Sequence, residues 1–287
     1  MSENLWQQVE SVTTKALSSG ALLPIATDYQ IIEQQNREFL LRTLNNLNRR
    51  KSAQERLRQA GNTHRNPFCP YEQQLYVTEL GSEHICLLNK FNVVDHHLLI
   101  ITREFEPQTN LICQQDFAAL ALCLQQIDGL GFYNGGTEAG ASQPHKHLQL
   151  IPLPMQPFAR LPLHSSLSQF KQDEVTSNTK LPFRHAGIAL SEKLFNDKQL
   201  AAEKLTETYL QLIKYLSIKV EGETVIMPYN LLITREWMMM VPRSREDFAG
   251  ISLNALAFCG ALLVRNPDQE EQLKSAGIAN ALKSVTA

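Results

Sequence analysis

The sequence lacks the features that would place the protein in a membrane or on a nucleic acid. Its 27 basic and 29 acidic side chains leave a formal net charge of −2 over 287 residues, so no general attraction to nucleic acid is expected. No apolar run approaches the length of a transmembrane helix, and residues 1–10 have no apolar core of the kind that signal peptides carry. We therefore expect a cytoplasmic protein without membrane or nucleic-acid partners.

Paired cysteines and the common nucleotide-binding patterns are also missing. None of the five cysteines forms a C-x-x-C pair, and their odd number favours reduced thiols over a disulfide framework. Walker A and G-x-G-x-x-G patterns do not occur, so kinase-like or Rossmann-type nucleotide binding has no support. The apolar share of 43% nevertheless provides a sizeable core for a globular protein.

The alternation of apolar and polar residues predicts an α+β fold. Helical periodicity is found over 5–17, 114–127, 197–216 and, as one or two helices, 267–282. Strands are predicted over 21–31, 38–44, 75–80, 84–91, 97–103, 131–134, 145–153, 183–190 and the hairpin of 229–234 with 237–241. Residues 254–265 fit either a strand or a helix. Because the strands come in runs separated by a few helices, we expect a mainly antiparallel sheet flanked by helices.

A charged and polar stretch covers residues 45–63 and contains the basic cluster Arg49-Arg50-Lys51. It is followed by Asn66-Pro67-Phe68-Cys69-Pro70, whose prolines break regular structure. We expect a mobile or ligand-gated loop in this stretch.

A faint internal repeat also runs through the chain. Residues 97–104 resemble 230–236, and Tyr133-Asn134 recurs as Tyr229-Asn230. A degenerate duplication is one explanation and chance is the other, because Leu/Ile runs are common. If the duplication is real, only the first copy can do histidine chemistry, since the second has Trp237-Met238-Met239-Met240 in place of histidines.

The most informative segment is a glycine-rich loop that leads into a His-x-His-x-Gln run, Asn134-Gly135-Gly136-Thr137-Glu138-Ala139-Gly140-Ala141-Ser142-Gln143-Pro144-His145-Lys146-His147-Leu148-Gln149. In an extended strand, successive side chains point to opposite faces, so His145, His147 and Gln149 share one face. The loop before them can point backbone N–H groups at an anion, and the donors expected are Gly140, Ala141, Ser142 and Gln143. A nucleophilic nitrogen beside such a cradle suits phosphorus chemistry.

His147 is the candidate nucleophile. An ordinary imidazole pKa of about 6.5 leaves the ring mostly neutral, so it can attack phosphorus without first losing a proton. Its second nitrogen must be held as N–H, typically by a backbone carbonyl. The product would be a covalent phosphoramidate, which divides one transfer into two steps. Gln149 is an uncharged donor on the same face and can hold a phosphoryl oxygen.

Other interpretations of the charged and histidine residues stay open. Two imidazoles on one strand face also occur in metal sites, but Gln149 is a poor zinc ligand and no further metal motif accompanies it. His145 is expected to brace the loop. His96 and His97 are expected to lie at the surface, and lysines such as Lys90 are, taken alone, solvated charges.

These residues resemble the diadenosine tetraphosphate (Ap4A) phosphorylases, or ATP adenylyltransferases, of the histidine-triad superfamily that also includes galactose-1-phosphate uridylyltransferase. The core of the resemblance is 140–149, where Gln149 is typical of transferase branches and hydrolases carry a third histidine. Supporting matches are Gly20-Ala21-Leu22, Asn66-Pro67-Phe68, Leu88-Asn89-Lys90-Phe91-Asn92, His97-Leu98-Leu99 with Thr102, and Tyr229-Asn230-Leu231-Leu232. The resemblance implies one histidine-triad-like domain over 1–287, with a catalytic half at about 20–160 and a C-terminal half at about 180–287.

The resemblance further implies a reaction: reversible phosphorolysis of Ap4A by phosphate to ATP and ADP, with His147 carrying AMP. It places phosphate contacts at Asn134, Gly140–Gln143 and Gln149, and His145 keeps the supporting role expected from its place beside the loop. It assigns looser polyphosphate or nucleoside contacts to Lys51, Asn89, Lys90 and Asn230. We expect no tightly bound cofactor, Mg²⁺ on the polyphosphate, and no structural zinc, because the cysteine and histidine pairs of the uridylyltransferases are missing. The oligomeric state stays open.

Two alternative functions are retained. The first is a related transferase or phosphorylase that acts on a nucleotide sugar or another ADP-linked substrate. The second is a nucleotide-binding regulator without catalysis, and the intact set of Ser142, His147 and Gln149 argues against it.

Overall fold

An eight-stranded antiparallel sheet organises the computed structural model, which describes residues 4–45 and 66–287. The helices are α1 (Leu5–Ser19), α2 (Gln114–Gln126), α3 (His164–Leu167), α4 (Lys198–Leu216), α5 (Pro267–Ala276) and α6 (Ile278–Ser284). The strands are β1 (Thr27–Gln34), β2 (Arg37–Leu44), β3 (Tyr76–Leu80), β4 (His84–Leu88), β5 (Leu98–Thr102), β6 (Gly129–Gly135), β7 (His147–Pro152), β8 (Ala186–Ala189), β9 (Val220–Glu221), β10 (Thr224–Val225), β11 (Tyr229–Ile233), β12 (Trp237–Pro242), β13 (Asp247–Phe248), β14 (Ile251–Ser252) and β15 (Ala261–Val264).

The strand order of the large sheet is β3-β4-β5-β7-β6-β11-β12-β8, so both halves of the chain contribute to it. A smaller sheet, β1-β2-β15, contains a parallel pair, β2 with β15. The expected α+β class with a mainly antiparallel sheet is confirmed.

The two faces of the large sheet bury two different cores. Alternate residues such as Leu148 and Leu150 pack with helices α1, α2 and α4 on one face. Residues of opposite parity, such as Phe132 and Ile151, pack on the other face with β2 and the segment around β15. This division follows from the two-residue period of a strand, and it places the functional motif on the face opposite the long helices.

Most predicted elements are present. One predicted strand begins later than expected, and one segment that fitted either a strand or a helix forms a short turn followed by a strand. The predicted strand 21–31 starts only at Thr27, because Leu23 and Ile25 donate their N–H groups to Lys90 and Asn92 in a loop of the large sheet. The ambiguous segment 254–265 forms a 3₁₀ turn, Ala255–Cys259, followed by β15. The predicted loop with Arg49-Arg50-Lys51 lies outside the described residues.

A local two-fold axis relates the central strands of the sheet. Asn134 lies opposite Asn230 where β6 pairs with β11, so a rotation about this pair exchanges Tyr133-Asn134 with Tyr229-Asn230. The same rotation exchanges β7 with β12 and, by strand order, β5 with β8. The Tyr-Asn repeat therefore coincides with the symmetry of the sheet. The other repeat does not, because 97–104 and 230–236 lie largely on β5 and β11, which are not equivalent strands.

Among the described residues, no helix is both long and apolar enough to cross a membrane. All five cysteines are free thiols, and Cys86, Cys123 and Cys259 are buried.

Candidate active site

Strand β7 places its side chains alternately in two polar environments. Lys146, just before the strand, faces the helices, where its ammonium lies 2.6 Å from the carboxylate of the fully buried Asp116. The same carboxylate accepts a hydrogen bond from His84 at 2.8 Å. His147 and Gln149 face the opposite side, towards the second core. The predicted alternation of the His-x-His-x-Gln run is therefore observed. The cluster of Lys146, Asp116 and His84 lies on the face opposite His147.

The imidazole of His147 is held in one tautomer. Its Nδ1 lies 2.8 Å from the backbone carbonyl oxygen of His145, and a carbonyl can only accept, so Nδ1 carries the hydrogen. Nε2 consequently carries the lone pair, and no residue in 4–45 or 66–287 is seen to hydrogen-bond it. The residue is 4% exposed, and its ring packs against Phe68 at 5.4 Å between ring centres. Burial lowers the pKa of His147 to about 4, which keeps the ring neutral at physiological pH.

His145 is held as a brace. Asn66 donates its amide to Nδ1 at 2.8 Å, so Nε2 carries the hydrogen and donates to the carbonyl of Thr102 at 2.9 Å. Burial lowers its pKa, so this ring is neutral as well. Both nitrogens are engaged by the protein, whereas the carbonyl of the same residue orients His147.

Gln149 is oriented by a hydrogen-bond chain that begins at a backbone group. The N–H of Phe91 donates to the Asn89 side-chain oxygen at 3.3 Å, which turns the Asn89 amide nitrogen towards His97 Nδ1 at 3.1 Å. His97 therefore carries its hydrogen on Nε2 and donates to Gln149 Oε1 at 3.0 Å. The amide hydrogens of Gln149 are left to face the cleft.

The expectation that His97 lies at the surface is wrong. Its ring is half-buried between Gln149 and Phe132, and desolvation lowers its pKa to about 4. His96 is also partly covered, because Trp6 packs against its ring and Thr13 lies within hydrogen-bond distance. Sequence reasoning missed both because a pair of histidines at a strand start has no pattern that distinguishes a surface residue from a buried one.

Asn134 and Gln108 fix the ends of the two strands that flank the loop. The Asn134 side-chain oxygen accepts from the Ala255 N–H at 3.1 Å and from Asn230 at 2.8 Å. Gln108 accepts from the His147 N–H at 2.8 Å and donates to the carbonyls of Asn134 and His147 at 2.9 and 3.3 Å. The Gln108 side chain therefore connects β6 and β7 beyond their last pair, Phe132 with Gln149, and it positions the backbone of His147. No motif in the sequence marked this residue.

The glycine-rich loop uses part of its own donor set. A 3₁₀ turn, Thr137–Ala139, is followed by Gly140 at φ 89°, and the N–H groups of Gly140 and Ala141 donate within the loop to Thr137 and Gly136. Among the described residues, no hydrogen bond is seen for the N–H groups of Ser142 and Gln143. Of the four backbone N–H groups expected to bind an anion, those of Ser142 and Gln143 therefore remain available, together with the Ser142 hydroxyl.

A cleft of about 450 Å³ opens beside these groups. Ser142, Asn134, Gly140 and Gln149 line one part of it, and apolar side chains such as Phe91 line another. The cations Arg42 and Arg265 also contribute to its wall. A second cavity of about 660 Å³ lies on the outer side of the loop, where Ala141, Gln143 and again Ser142 form part of the wall. The loop therefore separates two spaces, and Ser142 borders both.

The predicted site residues are brought together to different degrees. Asn89, Asn134, Gly140, Ser142 and Gln149 line the cleft, while Asn230 lies behind Asn134 with its own polar atoms bonded to protein. Lys90 pairs with Glu72 at 2.6 Å and is not part of the cleft wall. Lys51 lies outside the described residues. Within 4–45 and 66–287, no group of three or more His, Cys, Asp or Glu side chains is arranged to hold a metal ion.

The chain matches two models of known protein families. Residues 1–169 match the family model of the Ap4A phosphorylase N-terminal domain, and residues 179–287 match that of the ATP adenylyltransferase C-terminal domain. The chain belongs to the Ap4A phosphorylase family. It is accordingly an enzyme of the nucleotidyltransferase class, as the resemblance implied.

Individual members of the Ap4A phosphorylase family show the same relationship. Diadenosine 5',5'''-P1,P4-tetraphosphate phosphorylase 2 of Saccharomyces cerevisiae is 30% identical over 237 residues, which cover 72% of this chain and 71% of the relative. Protein APA1 of the same organism is 28% identical over 69% of this chain and 68% of its own. The crystal structure of yeast Ap4A phosphorylase Apa2 in complex with AMP superposes with a TM-score of 0.79 at 25% identity, over 100% of this chain and 98% of that chain.

Proposed function

We propose that this protein is an Ap4A phosphorylase that transfers AMP through a covalent bond to His147. The observation that carries the proposal is the fixed tautomer of this residue: Nδ1 is bonded to the His145 carbonyl at 2.8 Å, so the lone pair resides on Nε2. Family membership supports the reaction class, and the AMP and Ap4A complexes of the yeast enzyme support nucleotides as ligands.

The first step forms a bond between Nε2 and the α-phosphorus of Ap4A and breaks the bond from that phosphorus to the bridging oxygen. ATP leaves with that oxygen and its electron pair. The imidazole becomes a cationic phosphoramidate, and its Nδ1–H stays bonded to the carbonyl of His145. No proton needs to move in this step, because the ring is neutral before attack.

The second step reverses the roles of the two bonds. An oxygen of inorganic phosphate attacks the α-phosphorus, the bond to Nε2 breaks, and ADP leaves while His147 regains its neutral ring. Phosphate is already an anion at neutral pH and needs no general base to attack. The same groups serve the reverse direction, so we propose that the reaction is reversible.

Uncharged donors stabilise the phosphoryl oxygens in this proposal. The amides of Ser142 and Gln143, the Ser142 hydroxyl and the side-chain amides of Asn134 and Gln149 border the cleft or the loop. Fixed donors aimed at developing charge lower the barrier because they need little reorganisation during the reaction. The relay from Asn89 through His97 keeps the Gln149 amide hydrogens directed at the cleft.

The metal ion, in this proposal, belongs to the substrate. Mg²⁺ would be bound mainly by the polyphosphate oxygens and would neutralise part of their charge. The protein would bind the resulting complex as it binds any polyphosphate, through its amide donors.

A cytoplasmic location likewise stays a prediction from the sequence.

Product analysis tests the proposed reaction. Purified protein is mixed with Ap4A, MgCl₂ and phosphate, and nucleotides are separated by ion-exchange chromatography. We expect ATP and ADP in equal amounts, no turnover for His147→Asn, and unchanged turnover for His164→Asn, whose partly exposed ring is a matched control. ADP-glucose and UDP-glucose are run in parallel: faster phosphorolysis of either would contradict the assigned substrate, and nucleotide binding without any product would contradict catalysis.

A further inference from the structure

Arg243, directly after β12, is a buried cation that forms no ion pair with any described residue. Only 1% of its surface is exposed, and all five of its N–H groups donate to neutral oxygens. Its acceptors are the carbonyls of Val285, Leu253, Arg245 and Glu246 and the side-chain oxygen of Asn230, at distances of 2.6–3.2 Å. No carboxylate within 4–45 or 66–287 forms an ion pair with this guanidinium.

Burying a charge in this way is unfavourable unless another charge compensates for it. Desolvation lowers the pKa of Arg243 to about 10, although the nearby Glu246 opposes the shift, so the side chain stays protonated at neutral pH. The Glu246 carboxylate is itself engaged by the Ser252 hydroxyl at 2.7 Å. Glu246 therefore compensates the enclosed positive charge only in part, and the charge can also act on an anion bound nearby.

Two asparagines connect Arg243 to the cleft. The guanidinium donates to Asn230 Oδ1 at 2.6 Å, and Asn230 Nδ2 then donates to Asn134 Oδ1 at 2.8 Å. Both amide orientations are fixed by groups that can only donate: the guanidinium for Asn230 and the Ala255 N–H for Asn134. The Asn134 Nδ2 hydrogens therefore turn away from these partners, and Asn134 borders the cleft beside Ser142 and Gln149.

The two-fold axis of the sheet gives Arg243 a counterpart in the site. The rotation about the Asn134–Asn230 pair maps Phe132 onto Pro228. Phe132 lies opposite Gln149, and the N–H of Arg243 bonds the carbonyl of Pro228 at 2.7 Å. Arg243 thus occupies beside β11 the position that Gln149 occupies beside β6. Gln149 itself lines the cleft, whereas Arg243 is connected through Asn230 to the cleft residue Asn134.

We propose that Arg243 is a positioning residue that acts as the remote counter-charge of the bound α-phosphate through Asn230 and Asn134. Its field polarises two amides in series, so that the terminal Asn134 N–H becomes a stronger donor than an isolated amide. The guanidinium is not part of the cleft wall, so in this proposal it acts without touching the substrate. This proposal rests on the proposed function, because it takes the cleft to be the AMP site.

The test compares a charged ligand with its neutral analogue. Binding of AMP and of adenosine is measured by titration calorimetry for the wild type and for Arg243→Met. We expect the wild type to prefer AMP, and Arg243→Met to lose about tenfold of AMP affinity while adenosine affinity stays the same, because hydrogen bonds to charged groups are about twice as strong as neutral ones. A purely structural role for Arg243 would weaken both ligands alike.

A control and a second variant separate a folding defect from loss of the Arg243 relay, the hydrogen-bond path from Arg243 through Asn230 to Asn134. Arg245→Met removes a neighbouring guanidinium that donates, within the described chain, to the Ser284 carbonyl, and its AMP preference is expected to match the wild type. Asn230→Ala removes the middle of the relay and is expected to show the same selective loss as Arg243→Met, so it carries the test if Arg243→Met does not fold. When Arg243→Met and Asn230→Ala are combined, the loss of AMP affinity should be no larger than in either single variant, since each interrupts the same path.

The outcomes distinguish the relay from the proposed function. A wild type that binds AMP no better than adenosine would contradict the phosphate site itself. If the wild type prefers AMP but Arg243→Met or Asn230→Ala retains the full preference, the site stands and the relay is overturned. Additive losses in the double variant would also overturn transmission through Asn230.

Discussion

At the scale of single residues, the groups that we assign to direct contact with the reacting phosphate are neutral. His147 is enclosed, its Nδ1 hydrogen is held by a carbonyl, and the donors assigned to the phosphoryl oxygens are amides and a hydroxyl. Nothing in this set needs to gain or lose a proton near pH 7. The chemistry of the site should therefore be insensitive to pH over a wide range.

The first residue-scale prediction concerns the acid limb of the rate. Because burial holds the pKa of His147 near 4, the nucleophilic neutral ring persists well below the ordinary imidazole value of about 6.5. In single-turnover experiments with Ap4A, we expect adenylyl transfer to stay level from about pH 8 to about pH 5.5 and to fall below about pH 5. A rate that halves near pH 6.5 would show instead that the ring titrates as it does in water.

The second residue-scale prediction replaces the amide of Gln149 with a carboxylate. In Gln149→Glu, an anion would face the phosphoryl oxygens in place of a donor, and we expect kcat/KM to fall at least about 100-fold. Gln74→Glu makes the same chemical change at an exposed site in the described chain and should leave kcat/KM unchanged. Equal activity of the two variants would exclude Gln149 from the phosphate contacts.

At the scale of elements, the loop between β6 and β7 determines which donors reach the substrate. Its N–H groups at Gly140 and Ala141 are used internally, and this depends on the left-handed backbone at Gly140. A Cβ at Gly140 would lie 3.1 Å from the Asn254 Cβ, so the loop and the segment before the 3₁₀ turn are in close contact.

Gly140→Ala tests this geometry against a matched glycine. Gly81 has a similar φ of 79°, but a Cβ there would meet nothing within 4 Å. Both substitutions incur the cost of a left-handed alanine, roughly 1 kcal/mol of unfolding free energy. Only Gly140→Ala is expected to lower kcat, by about tenfold or more, because it shifts the Ser142 and Gln143 amides. Similar kcat values for the two variants would show that the loop tolerates displacement.

At the scale of the whole molecule, both halves of the chain build one site. The second half supplies Asn230 and Arg243 behind Asn134, and it supplies the Ala255 N–H that orients the same residue. Because these contacts join the halves through buried polar groups, we expect a variant that breaks them to weaken both ligand binding at the cleft and the stability of the sheet.

Stability should depend on pH through two histidines whose pKa values desolvation lowers. His97 and His147 have pKa values of about 4 in the folded state against about 6.5 when unfolded, so the unfolded chain takes up protons first as the pH falls. The unfolding free energy should therefore decrease between about pH 6.5 and about pH 4, by up to about 3 kcal/mol for each ring, and level off below. Urea titrations at several pH values measure this slope. It should be shallower in His147→Asn, and an identical slope in wild type and variant would show that the ring is not buried as described.

The sequence predicted the sheet, its main helices and the His-x-His-x-Gln face because these follow from local periodicity and from one distinctive motif. It did not predict the His97 relay, Gln108 or Arg243, because each acts through a contact between residues that are distant along the chain. Gln108 meets His147 across 39 positions, and Asn134 meets Asn230 across 96. The Tyr-Asn repeat was the only signal in the sequence that pointed to the second of these contacts, and it became interpretable once the strands were paired.

The central claim is that Nε2 of His147 becomes bonded to phosphorus during turnover. Protein mixed with Ap4A and Mg²⁺ without phosphate is quenched under mildly alkaline denaturing conditions, and its mass is measured intact and after proteolysis. We predict the addition of one adenylyl group to the peptide that contains His147, its absence in His147→Asn, and its discharge to ADP when phosphate is added before the quench. An enzyme that turns over Ap4A at full rate without ever carrying this group, or that carries it on another residue, would contradict the account.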